Sequence, residues 1–146
     1  MCLQARQQKQ EMGIITAYKV FHKDGDELYS AFYPATFGTK TLEWEYPKGK
    51  WLNYKPLPNG ESPSIGFYSF KYVESAFDII ENVLDWNLTC KYNCAVYEVK
   101  IHGSIHTGTL GYRAYNSFIS QKIKVIRKVD KCYTPSGIKY VFGREL

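Results

Sequence analysis

Residues 65–85, IGFYSFKYVESAFDIIENVLD, constrain the fold of this chain more than any other stretch, because an apolar, aromatic run passes there directly into an amphipathic helix. Val73, Ala76, Phe77, Ile80, Val83 and Leu84 recur at the spacing that puts them on one helical face, while Glu74, Ser75, Asp78, Glu81, Asn82 and Asp85 fill the other. A helix over about residues 72–85 should therefore lie on a sheet with its acidic side in water. The preceding residues 65–70 begin after Pro63 and are β-branched or aromatic, the signature of a buried strand. Gly66 interrupts that strand, which marks a bulge or a close approach by a ligand or another backbone.

With 146 residues the chain suits one domain, large enough to bury a core without staples. A hydrophobic fraction of 45% and an aromatic fraction of 16% exclude a disordered chain. No apolar run is long enough to cross a bilayer, and the N-terminus MCLQARQQKQEMG lacks the apolar segment of a secretory signal. The expectation is a cytosolic (cytoplasmic) protein with reduced thiols and no membrane partner. Residues 1–12 are polar, Gln-rich and without periodicity, so they read as a flexible tail before a single globular domain at 13–146, with Met12 as an alternative start.

Along the domain, residues 14–21 and 28–33 read as two strands around an Asp24-Gly25 turn, and residues 42–46 as a half-buried strand. Residues 51–64 hold Pro56, Pro58, Asn59-Gly60 and Pro63, which predicts a long surface loop. Residues 95–101, AVYEVKI, alternate so that Ala95, Tyr97, Val99 and Ile101 share a face, and that set is expected to meet the helix. Residues 102–109 read as a Gly-rich connection, residues 122–129 as a basic strand, and residues 131–142 as a closing hairpin around Pro135-Ser136-Gly137. The predicted class is α+β: a mainly antiparallel, mixed sheet of six to eight short strands with one principal helix.

Charge is unevenly placed. Residues 121–146 carry seven basic and two acidic side chains, the whole of the chain's formal excess of +5. Such a stripe is suited to phosphates, or alternatively protects a sheet edge. Trp44, Tyr46, Trp51 and Tyr54 alternate with Lys48, Lys50 and Lys55, a pattern in which rings stack on bases while cations hold the backbone. The residues expected to contact a ligand are Gly66, Trp51, Tyr54, Arg113, Lys122 and Lys124, and the partner is a protein or a nucleic acid.

Motifs for metal and covalent chemistry are sparse. Cys90 and Cys94 have a three-residue spacer but no second pair, and His102 and His106 stand four apart in a Gly-containing segment rather than on a helix, so no metal and no cofactor is expected. Asn87-Leu88-Thr89 is a glycosylation sequon relevant only to an exported protein.

Two resemblances rest on short motifs. AYKVFHKDG, GFYSFKYVESAF and VYEVKIHGSI with GYRA, in that order, resemble a group of small phage and bacterial proteins with no established activity. The same stretches are similar to the catalytic domain of the poly(ADP-ribose) polymerase and diphtheria-toxin-like ADP-ribosyltransferases. That second resemblance implies NAD as cofactor, His22 on its ribose, Tyr68 stacked on nicotinamide, and a catalytic position at Ser117. Ser117 stands where the family has a Glu, and His22 lacks the following Gly-Thr, so a transferase would need another acid such as Glu98. The expected function is a non-enzymatic binding domain, with a degenerate or variant mono-ADP-ribosyltransferase as the alternative.

Overall fold

A computed structural model describes residues 3–4, 9–30, 45–54, 66–83, 93–110 and 113–146. The fold is α+β and mainly antiparallel: β1 (Leu3–Gln4), β2 (Lys9–Asp24), β3 (Glu27–Ser30), β4 (Trp51–Asn53), β5 (Phe67–Phe70), α1 (Val73–Asp78) continued by a π-helical turn (Ile79–Val83), β6 (Cys94–Leu110), β7 (Tyr115–Thr134) and β8 (Gly137–Phe142). All pairings between these strands are antiparallel.

The 20-residue β7 is the spine. Along one side it pairs with β6; along the other it pairs in turn with β5, β4 and β8. Between β4 and β8, Gly143 and Leu146 donate backbone bonds to Lys128 O and Ile126 O, so the C-terminal residues cover the remaining edge. β6 also pairs with β2, and β2 reaches β5 through the Tyr18–Phe70 bridge, which closes a ring of four strands.

Alternation gives the sheet two faces. On one, Val20, Tyr68, Phe70, Val96, Ile119 and Val129 pack with Val73, Ala76 and Ile79 of the helix. On the other, Ala17, Phe21, Phe67, Ala95, Tyr97, Val99, Ile101, Ile123 and Val125 form a second core with Leu28 and Tyr46. The helix therefore meets Val96, and the Ala95–Tyr97–Val99–Ile101 set faces away from it, contrary to expectation. Tyr68 and Phe70 of the preceding strand, with Val20 opposite, decide which side the helix occupies.

Other expectations are corrected by pairing. Lys9–Met12 is strand, opposite Gly103–His106, so β2 starts inside the expected tail. Residues 102–109 belong to β6; its glycine at 103 has φ +86° and sits at a register shift, so it makes a bulge, not a connection. Trp51–Asn53 is strand β4 on the basic strand, and only residues 55–64 of the expected loop lie outside the described residues. Trp44, Lys55, the sequon at 87–89, Cys90 and Tyr112 also lie outside them.

Candidate nucleic-acid interface

β7 places Ile123 and Val125 in the core away from the helix, so Lys122 and Lys124 must project from the other face. Lys124 is opposite Lys100 of β6 on one side and Trp51 of β4 on the other, and Lys100 is opposite Thr16 of β2. One row of side chains thus reads Thr16, Lys100, Lys124, Trp51 across four strands. In the adjacent row His102, Lys122 and Asn53 lie side by side. The Lys124 Nζ is 5.9 Å from the Trp51 ring centre, the Trp51 and His102 rings are 6.2 Å apart, and Lys100 Nζ donates to Thr16 Oγ1 at 2.5 Å. Trp51 is 40% exposed although its neighbour Leu52 turns into the core.

Like charges directly opposite one another weaken a sheet, yet Lys100 and Lys124 occupy such a pair. None of Lys100, Lys122 and Lys124 has an ion pair among the described residues. The cations nearer the helix differ. Arg127 holds Glu98 with two bonds of 3.1 and 3.3 Å, Lys131 holds Glu81 at 2.5 Å, and Arg113 holds Asp78 at 3.1 Å. Asp78 also accepts from Tyr115 and Asn82. The Tyr115 bond, then the Arg113 charge, keep the Asp78 carboxyl below its ordinary range against the opposing effect of burial. Burial first, and then the bond to Asp78, push the Tyr115 hydroxyl up to about 12. Asp78 with Tyr115 and Glu81 with Lys131 fasten the helical segment to β7, whereas Arg127 with Glu98 ties β7 to β6.

The sequence-predicted ligand residues divide accordingly. Trp51, Lys122 and Lys124 come together. Tyr54 packs edge-on against Phe67, 5.6 Å between centroids, and belongs to the core margin. Gly66 is explained by backbone: a Cβ there would lie 2.4 Å from Ser120 O of the neighbouring strand. Arg113 serves the helix. Tyr68 and Ser117 sit on adjacent strands, opposite Ile119 and Phe70, with Tyr68 under the helix and Ser117 Oγ donating to Tyr115 O at 2.8 Å. His22 lies at the end of β2, between Cys94 and Tyr29, and Glu98 is bound to Arg127.

Sequence reasoning missed Lys100 and His102 as members of this face; their place opposite Lys124 and Lys122 depends on long-range pairing. It also missed Lys19. That residue is 2% exposed; its Nζ donates to Tyr68 O at 2.6 Å and lies 5.6 Å from the Tyr46 ring centre. Burial pushes its amine down to about 7. Alternation in residues 15–21 was the available signal, since Lys19 shares parity with Ala17 and Phe21. Among the described residues no group of three or more His, Cys, Asp or Glu side chains is arranged to hold a metal ion, and no helix is long and apolar enough to cross a membrane. No family model, no curated protein and no solved structure matches the chain.

Proposed function

We propose that this domain is a binding protein for single-stranded nucleic acid and that the Trp51–Lys124–Lys100 row with Lys122 and His102 is its contact face. The supporting observation is the conjunction of three lysines without a carboxylate partner among the described residues and an exposed indole on adjacent strands. An open strand face with an exposed ring stacks on an unpaired base, whereas duplex bases are covered by their neighbours. Lysines beside the ring neutralise phosphates on either side of the stacked base. Lys48 and Lys50, both exposed, flank β4 and extend the positive margin.

Fluorescence anisotropy with labelled oligodeoxythymidine and oligouridine tests the reading. Three phosphate contacts predict a slope of log K against log salt of about −2 for a single strand. The double variant Lys122→Glu/Lys124→Glu should lose binding by about 100-fold or more at low salt, since two attractive contacts become repulsive. Trp51→Ala should lose about 5- to 100-fold, the worth of one stacked base. Absence of binding by the native chain at about 50 mM salt would remove nucleic acid as the partner.

A further inference from the structure

Exposed apolar side chains concentrate on the β7–β8 hairpin. Tyr133 is 73% exposed, Ile138 51%, Val141 50% and Phe142 37%, with no comparable cluster among the other described residues. β8 pairs with β7 over six residues without a bulge, and among the described residues no strand lies on its other side. Edge strands are ordinarily protected by charges, prolines or bulges; β8 has one lysine, Lys139, and none of the rest.

We propose that the free edge of β8 pairs antiparallel with β8 of a second copy of this chain, centred on Tyr140. The charge pattern selects the occupant and the register. Centring on Lys139 would set two ammonium groups face to face, which a sheet disfavours. Centring on Tyr140 sets Lys139 opposite Val141 and Ile138 opposite Phe142. Since Asp130 is opposite Val141 within each hairpin, the new row reads Asp130, Val141, then Lys139 of the second copy. Two strand spacings, about 10 Å, separate that aspartate from that lysine, and a lysine laid over Val141 covers the gap. Asp130 meets Lys128 Nζ through Oδ1 at 3.3 Å yet stays 56% exposed on its side chain, open to a second cation, and Lys139 has no ion pair among the described residues. On the helix side, Ile138 of each copy lies opposite Phe142 of the other, in a row that runs from Tyr133 of one copy to Val129 of the other, so the exposed stripe covers itself. The contact is isologous and closes as a dimer.

Sedimentation velocity on the full chain should find a dimer at about 0.1 mM that dissociates on dilution. Ile138→Lys, at an exposed position, should leave the melting temperature nearly unchanged and weaken the dimer at least about tenfold. Asp130→Lys and Lys139→Glu should each weaken it when alone, and mixing those two variant chains should restore it, because the opposite charges then meet only across the interface. A native chain that stays monomeric at about 0.1 mM overturns the proposal. A dimer indifferent to Ile138→Lys, or no recovery on mixing, overturns the edge and the register respectively.

Discussion

The two faces of the sheet treat positive charge in opposite ways. Away from the helix, Lys19 is enclosed among Ala17, Phe21, Tyr46 and Tyr97, with a carbonyl and an aromatic ring for company. On the helix face, Arg127, Lys131 and Arg113 each meet a carboxylate, while Lys100, Lys122 and Lys124 stand beside Trp51 without one among the described residues. A cation without a carboxylate thus weighs on stability where it is buried, and is available to a ligand where water reaches it. The paired cations hold the fold together.

Lys19 gives the largest expected effect. Its folded value of about 7 lies below the ordinary 10.5, a gap worth up to about 5 kcal/mol, which the Tyr46 ring and the Tyr68 carbonyl reduce. Between these two values the unfolded chain holds a proton that the folded chain lacks, so stability rises with pH from about 7 to about 10. Below about 7 both states are protonated and the full penalty remains. Lys19→Met should raise stability at pH 7 by about 2 kcal/mol or more and remove that slope. Urea melts of both chains across this range decide it. A variant no more stable than the native chain, with its slope intact, would break the contrast between the faces.

Arg127 comes next. Its Glu98 partner is 9% exposed on the side chain, so removing the guanidinium strands a nearly buried carboxylate. Arg127 itself is a third exposed, which moderates the cost, and Arg127→Ala should destabilise by about 2–3 kcal/mol. Adding Glu98→Gln to that variant should recover part of the loss. Oligonucleotide affinity should not change in either chain. An affinity loss matching that of Lys122→Glu/Lys124→Glu would mean that the paired and unpaired cations act as one surface.

How far the sequence carries this picture follows from what each feature depends on. The strand-to-helix junction was legible because it is local: Phe67–Phe70 is wholly buried, and Val73, Ala76, Phe77 and Ile80 turn inward as their spacing required. Ile79 was not anticipated, although it is fully buried. The chain widens into a π turn at that residue, which re-aims side chains away from the 3.6-residue period. Strand lengths were underestimated because bulges at Met12/Ile15 and His102/Ile105 let β2 and β6 bend without ending. Trp51, Lys122 and Lys124 were recognisable by type, but their junction depends on pairing strands some seventy residues apart. Tyr54 looked like a ligand residue for the same chemical reason and is occupied by packing instead, while Gly66, expected to mark the approach of a ligand or another backbone, meets the backbone of Ser120.

The smallest effect belongs to Glu81. Its carboxylate receives Lys131 Nζ at 2.5 Å, but Glu81 is 44% exposed, so water and salt share the interaction. Lys131 also lies 5.3 Å from the Tyr133 ring centre and 6.0 Å from that of Phe77, contacts that survive loss of the carboxylate. Its ammonium is raised above the ordinary lysine value chiefly by the Glu81 bond, and burial opposes the rise. Glu81→Gln should therefore cost at most about 0.5 kcal/mol at low ionic strength and nothing measurable near 1 M salt. A salt series of melting curves reads this directly. A salt-independent loss as large as that of Arg127→Ala would place Lys131 with the buried pairs, and pairing on the helix face would then follow enclosure by the π turn more than exposure of the carboxylate.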